Sequence, residues 1–259
     1  MVQPITSYIT NRIKRPDAVI FDWDDTLFNH DKINHYLSMK LIEDIGPKTS
    51  SQDELNRLAT EMNNSWHEDK DACCRKYFGG RSVDEVFAVW NTHMETIPVE
   101  ELRMLDNARE VLESLKEKGI PMMIVSNKPE RFLERELKHF ELNQYFDVVI
   151  GQQKDVKERK PSALPVFKAI DELNKKRKGA KQKKLEHNGR LWYVGDHFDD
   201  ASAAIGAGTS VFIIGDAHKK NIDKHFCDSD AIGGITHLKD LHAFKEIVDT
   251  IPQISPPSL

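Results

Sequence analysis

Short apolar segments, each followed by a residue such as Asp, Ser or Gly, most constrain the fold of this chain of 259 residues. The segments are AVIF (18–21), MMIV (122–125), DVVI (147–150), LWYV (191–194) and VFII (211–214). Apolar runs of this length are typical of buried parallel strands. Between them, apolar residues recur at helical spacing, as at Val111, Leu112 and Leu115. Strands that alternate with helices predict an α/β fold built on a doubly wound parallel sheet.

The stretch from residue 30 to 105 interrupts this alternation. It has no convincing strand but several helical patterns, one of them carried by Ile33, Leu37 and Leu41. We therefore expect a helical subdomain inserted after the first strand, where α/β proteins bind their ligands, and interpret it as a lid. The expected division is a core of residues 17–29 and 106–247, a helical cap of residues 30–105 and a flexible, proline-rich tail of residues 248–259.

Composition narrows the class of protein. The formal net charge of −5 gives no overall electrostatic reason to expect a nucleic-acid or anionic-membrane partner. The three cysteines, Cys73, Cys74 and Cys227, are too few for a disulfide framework or a zinc site made of thiolates. No apolar run approaches the roughly 18 to 20 residues that span a bilayer, and the first residues lack the apolar segment of a signal peptide. These features predict a cytoplasmic protein.

The first polar cluster follows the first predicted strand. Asp22 stands at the strand end, with Asp24 and Thr26 spaced two residues apart after it. Two carboxylates this close repel unless their pKa values separate or a cation lies between them. The alternative is that Asp24, Asp25 and Thr26 only form a turn and a helix cap, where these residue types are favoured.

Two further motifs suit a phosphate group. Ser126 and Asn127 follow the second strand, where a hydroxyl and free backbone N–H groups can bind an anion. An ordinary turn with Ser or Asn as a cap explains them equally well. Lys160 precedes Pro161 at the start of an amphipathic helix, and its ammonium can neutralise a phosphoryl group. Lysines are more often solvated, so this signal is weak alone.

The fourth motif is GDHFDD, in which Asp196 directly follows a strand and Asp200 lies four residues later. A cluster of oxygen ligands with open coordination positions is what Mg²⁺ accepts. Capping of the next helix is the alternative; it explains Asp199 or Asp200 well and Asp196 poorly.

The four motifs occur in one order, each at the carboxyl end of a predicted strand. Together they resemble the haloacid dehalogenase-like hydrolase superfamily, with its Rossmann-like core, over residues 17 to 245. The helical insertion is similar to the cap of phosphoglycolate phosphatase-like members. Three positions depart from the pattern, although none removes a reacting group. They are Asp25, where glycine is frequent, Ala163, where proline is frequent, and His197, where serine is frequent.

The resemblance implies a Mg²⁺-dependent phosphatase that hydrolyses a small phosphomonoester through an aspartyl-phosphate. Asp22 corresponds to the nucleophile and Asp24 to the acid and base. The implied Mg²⁺ site consists of Asp22, Asp24 through its carbonyl oxygen, Asp196 and Asp200. The implied phosphate site consists of Ser126, Asn127 and Lys160, with Thr26 orienting the adjacent loop. An aspartate at position 24 disfavours dehalogenase activity, because a halide leaving group needs no proton.

Other functions stay open at this point. A phosphomutase would use the same phosphoaspartate, and a cap argues against large phosphoprotein substrates. A partner-binding protein that lacks catalysis could instead use the lysine-rich segment 175–190, although such a charge run is usually a solvated surface. The identity of the substrate and the oligomeric state are not determined by these patterns.

Overall fold

The structure, a computed structural model, describes residues 14–153, 158–186, 188–226 and 234–253. Its strands are β1 (Ala18–Phe21), β2 (Met122–Pro129), β3 (Val148–Gln152), β4 (Leu191–Gly195), β5 (Ser210–Ile214) and β6 (Ile235–Leu238). They form a parallel sheet in the order β3-β2-β1-β4-β5-β6. This arrangement confirms the predicted α/β fold. Strand β6 was not predicted, because its ITHL segment is short and only partly buried.

Ten α-helices lie among the described residues. They are α1 (His30–Ile45), α2 (Gln52–Glu68), α3 (Lys70–Tyr77), α4 (Val83–Thr96), α5 (Ala108–Glu117), α6 (Glu130–His139), α7 (Leu164–Gly179), α8 (Phe198–Gly206), α9 (Lys219–Phe226) and α10 (Leu241–Asp249). Helix α10 continues past residue 247, the expected end of the core, and Val248 and Ile251 are buried. The chain is therefore packed as far as residue 251, and a flexible tail stays a prediction. Residues 254–259 of that tail lie outside the described residues.

Both faces of the sheet are covered by apolar side chains. One core contains Ile20 of β1 and Tyr193 of β4 packed with Ile170 of α7. On the other face, the ring of Phe244 in α10 contacts Phe21 at 6.2 Å between centroids and Phe212 at 5.2 Å. Each fully buried side chain of this size contributes about 1.5–3 kcal/mol to stability. Because β1 is buried on both faces, it places the residue that follows it, Asp22, at the edge of a packed core.

Residues Asn29–Arg103 form a separate compact unit made of α1 to α4. Its core includes Ile42, Ala59, Met62 and Phe78. Cys73 and Cys74 are buried there as free thiols, and burial raises the pKa of Cys73 to about 11. The other unit comprises Met1–Phe28 with Met104–Leu259 and carries the sheet. The role of the helical unit as a cap stays a prediction.

The lysine-rich segment is largely exposed at the end of α7 and in the following loop. Buried Asn174 joins this loop to the helix, because it accepts from the Leu185 N–H at 2.7 Å and donates to the Leu185 carbonyl oxygen at 3.2 Å. Within the described residues, no helix combines the length and the apolar character needed to cross a membrane.

Candidate active site

The polar residues at the carboxyl ends of β1, β2 and β4 line one cavity of about 320 Å³. Of the predicted site residues, those in its wall are Asp22, Asp24, Ser126, Asn127, Lys160, Asp196 and Asp200. Thr26 is fully buried and lies outside this wall, but its hydroxyl donates to Asp196 Oδ1 at 3.3 Å. The topology thus brings together four motifs that are far apart in the chain.

Asp22 is the first residue after β1 and is only 6% exposed. Its Oδ1 accepts a hydrogen bond of 2.5 Å from the Lys160 ammonium. Burial, together with the nearby Asp200 carboxylate, raises the pKa of Asp22 to about 7, although the Lys160 ammonium opposes this rise. The side chain is therefore held by a charge-assisted hydrogen bond and is poorly solvated.

Lys160 is buried and bridges two carboxylates. Its Nζ lies 2.5 Å from Asp22 Oδ1 and 2.6 Å from Asp200 Oδ1. Burial lowers the pKa of Lys160, but the attraction of Asp200 and Asp22 outweighs burial and holds the pKa well above its ordinary value. The residue is thus a permanent cation on the cavity wall.

The side chain of Asn127 fixes the backbone of Lys160. Its Oδ1 accepts from the Lys160 N–H at 2.9 Å, and its Nδ2 donates to the Lys160 carbonyl oxygen at 3.0 Å. Asn127 follows Ser126 where the register between β2 and β3 shifts. The Ser126 Oγ accepts from the Lys128 N–H at 3.1 Å, so its own hydrogen can be donated into the cavity.

Asp200 accepts four hydrogen bonds. Its Oδ1 faces Lys160 and the Tyr193 hydroxyl, the latter at 3.1 Å. Its Oδ2 accepts from the backbone N–H groups of Asp196 and His197, at 3.2 and 3.0 Å. A carboxylate offers about four lone-pair positions, so these partners engage all of them. This geometry favours an orienting role for Asp200 over direct ligation of a metal.

The donor set fits a divalent cation. Ligand atoms of Asp22, Asp196 and Asp200 lie within 4.8 Å of one another. Burial, with the neighbouring carboxylates of Asp200 and Asp22, raises the pKa of Asp196 to about 9. When all three carboxyl groups are ionised, as metal ligation requires, they face one ammonium and leave an excess of two negative charges. Oxygen ligands and this charge suit Mg²⁺ better than a soft metal.

Four residues around the site were missed by the sequence analysis. Lys128 Nζ lies 2.7 Å from Asp24 Oδ1 and 2.8 Å from Glu136 Oε2. Trp23 Nε1 donates to the same Glu136 oxygen at 2.7 Å, and Tyr193 contacts Asp200. Lys128 and Trp23 lie inside the recognised motifs, so their position was a usable signal. Glu136 and Tyr193 carry no such signal, because nothing local distinguishes them from other residues of a helix or a strand.

A family model described as haloacid dehalogenase-like hydrolase matches residues 19–214 of this chain. The chain belongs to this hydrolase family. Pyrophosphatase PpaX of Halalkalibacterium halodurans is 24% identical over 200 residues, which cover 77% of this chain and 83% of that protein. Phosphoglycolate phosphatase of Aquifex aeolicus is 26% identical over 192 residues, which cover 74% and 81% of the two chains.

A solved structure with the same fold is a HAD-superfamily hydrolase from Ehrlichia chaffeensis. It is 24% identical, has a TM-score of 0.61, and the match covers 92% of this chain and 98% of that one. This likeness shows the fold of the haloacid dehalogenase-like core.

The structure accounts for two of the departures from the family pattern. Asp25 has a φ of 54°, in the left-handed region that glycine adopts freely and aspartate tolerates better than most residues. His197 caps α8, because its Nδ1 accepts from the Asp199 N–H at 3.1 Å. A serine side chain would cap that helix in the same way. Both substitutions therefore preserve the local backbone of this hydrolase fold.

Proposed function

We propose that this protein is a Mg²⁺-dependent phosphatase that hydrolyses a small phosphomonoester through an aspartyl-phosphate on Asp22. The observation that carries the proposal is the buried Asp22 carboxylate at the end of β1, held at 2.5 Å by the Lys160 ammonium. Family membership and phosphatase-named relatives support it.

Two displacements at phosphorus make up the reaction. A carboxylate oxygen of Asp22 attacks phosphorus, and the bond between phosphorus and the leaving oxygen breaks while Asp24 donates a proton to that oxygen. Water then attacks phosphorus of the phosphoaspartate while Asp24 accepts a proton from the water. The bond between phosphorus and the Asp22 oxygen breaks, which releases inorganic phosphate and restores the Asp22 carboxylate. Asp24 is suited to both steps because it lines the same cavity as Asp22.

Ser126, the Asn127 N–H group and Lys160 are proposed to hold the phosphoryl oxygens. Ser126 can donate its hydroxyl hydrogen, and Lys160 supplies a fixed positive charge. Most of the rate gain in phosphoryl transfer comes from such positioning and charge stabilisation. Because Asn127 holds Lys160 by two hydrogen bonds, the cation does not have to reorganise when substrate binds.

Asp22, Asp196 and the backbone carbonyl of Asp24 are the proposed Mg²⁺ ligands. Asp200, whose lone pairs are engaged by four donors, is proposed to support them through its hydrogen bonds. When bound, Mg²⁺ neutralises the carboxylate cluster and shields the anionic nucleophile from the anionic phosphate. Thr26 orients Asp196 through their hydrogen bond of 3.3 Å.

Inorganic pyrophosphate is a second candidate substrate, since one relative that matches most of the chain is named a pyrophosphatase. The same nucleophile can attack a phosphoric anhydride. In both cases the helical unit of residues Asn29–Arg103 is proposed to act as the cap that selects the substrate.

The test is release of inorganic phosphate with and without Mg²⁺. The panel contains p-nitrophenyl phosphate, phosphoglycolate, pyrophosphate, sugar phosphates and nucleotides, and the variants are Asp22→Asn and Asp171→Asn. Asp171 is an exposed aspartate of α7 and serves as the matched control. We expect Mg²⁺-dependent turnover that Asp22→Asn lowers by about 1,000-fold or more and that the control leaves unchanged.

Other outcomes would contradict the proposal. Transfer of the phosphoryl group to a second sugar hydroxyl, without phosphate release, would indicate a phosphomutase. No turnover by folded protein on any compound would favour the partner-binding alternative.

A further inference from the structure

Lys128 is a second buried cation in the cavity wall, two residues after Ser126 in the second motif. The residue is only 5% exposed, and its Nζ lies 4.3 Å from the centre of the Phe28 ring. The ammonium bridges Asp24 Oδ1 at 2.7 Å and Glu136 Oε2 at 2.8 Å. Lys128 therefore connects the proposed acid and base to a carboxylate inside the protein.

Glu136 anchors this bridge. It lies in α6, has no solvent exposure, and receives the Trp23 Nε1–H on the same Oε2 atom. The loop after β1 is thus attached to α6 at two successive residues, directly by Trp23 and through Lys128 by Asp24. We call Trp23, Lys128 and Glu136 the tether.

A contribution to stability does not by itself explain the tether. Removing two opposite charges from water costs desolvation free energy that a buried ion pair often fails to recover, and apolar residues of similar volume commonly serve as well. Moreover, the ammonium uses one of its donors on Asp24, a carboxylate on the cavity wall. A hydrogen bond to one oxygen restricts rotation of the whole carboxyl group.

We propose that Lys128, held by Glu136, is a positioning residue that fixes the carboxyl group of Asp24 for proton transfer to the leaving group. The inference rests on the proposed phosphatase function. It has a specific kinetic consequence, because a poor leaving group needs the proton and a good one does not. Loss of the tether therefore changes the dependence of the rate on the leaving group, which a general loss of structure would not do.

The experiment compares kcat/KM for two substrates. One is p-nitrophenyl phosphate, whose leaving group departs without a proton, and the other is the alkyl phosphate that the unmodified protein hydrolyses fastest. The variants are Lys128→Met, Glu136→Gln and the double variant. The double variant removes both charges, so that no buried charge is left unpaired if Lys128→Met alone fails to fold. Matched controls on the surface of α6 are Lys138→Met and Glu134→Gln.

We expect Lys128→Met and the double variant to lower kcat/KM for the alkyl phosphate by about 100-fold, the lower end of what an acid catalyst contributes. Glu136→Gln should lower it by about 10-fold, because glutamine keeps a hydrogen bond to Lys128 without the charge. The loss on p-nitrophenyl phosphate should stay within about 3-fold in all variants, and both controls should match the unmodified protein.

Equal losses on the two substrates, or no loss in the folded double variant, would overturn the positioning role. These results differ from failure of the proposed function, in which the unmodified protein would lack activity dependent on Mg²⁺ and Asp22. In that case both inferences fail together.

Discussion

Gly195 lies so close to Asp200 that a β-carbon at position 195 would fall 2.5 Å from the Asp200 carboxyl carbon. Gly195 is the last residue of β4, and Asp200 lies in the first turn of α8. This short distance lets the Asp200 carboxylate accept from the backbone N–H groups of Asp196 and His197 and contact the Lys160 ammonium. Glycine at 195 is therefore a packing requirement of the site.

Gly195→Ala should displace Asp200 and, through it, Lys160. We expect overpacking to destabilise the fold by about 1–3 kcal/mol and to lower kcat by at least about 10-fold. Urea unfolding and phosphate release measure the two effects. Gly179→Ala is the control, since a β-carbon there meets no atom within 4 Å. Equal behaviour of the two variants would show that Asp200 does not depend on this contact.

Asn127→Ala should free the Lys160 backbone. Loss of the two hydrogen bonds is expected to lower stability by about 1–2 kcal/mol and kcat/KM by about 10-fold, because the cation is no longer fixed against the phosphate. Asn174→Ala removes a pair of hydrogen bonds of the same type, to Leu185. It should lower stability without changing kcat/KM. An unchanged kcat/KM in Asn127→Ala would exclude the positioning of Lys160 by Asn127.

Tyr193→Phe removes the hydroxyl that lies 3.1 Å from Asp200 Oδ1. Asp200 Oδ1 still accepts from the Lys160 ammonium in this variant. The expected loss in the free energy of unfolding is therefore only about 1 kcal/mol. A fall in kcat of about 3- to 10-fold should accompany it. Tyr145→Phe removes a hydroxyl at the surface, 3.4 Å from Glu113, and should leave both quantities unchanged. If Tyr193→Phe also leaves kcat unchanged, the hydroxyl has no part in orienting Asp200.

Asp196→Asn should raise the stability of the protein without metal and remove its stabilisation by Mg²⁺. In a chelator the variant should be more stable than the unmodified protein by about 1 kcal/mol, because burial and the neighbouring carboxylates disfavour a charge at position 196 and asparagine carries none. Saturating Mg²⁺ should raise the Tm of the unmodified protein and not that of the variant. Thermal unfolding with Mg²⁺ or chelator measures this, with Asp171→Asn as the control. A Mg²⁺ shift that survives in Asp196→Asn would place the metal elsewhere.

The sheet could be predicted because its strands are local patterns. The run AVIF becomes β1 with all four residues buried, and LWYV opens β4. Parallel strands present their carboxyl ends at one edge, and the sequence predicts that Asp22, Ser126 and Asp196 each follow a strand. The structure places all three on the same cavity wall. In contrast, β6 was missed because its four residues alternate weakly and are mostly half-buried.

The sequence by itself thus determined the α/β class and which polar residues stand at the strand ends, because burial and strand periodicity are set by neighbouring residues. Only the tertiary structure decided that all lone pairs of Asp200 are engaged, and that Glu136 holds Lys128 beside Asp24. Glu136 lies 113 residues from Trp23, whose indole it accepts from. Such contacts depend on how helices pack against the sheet, and no local pattern specifies them.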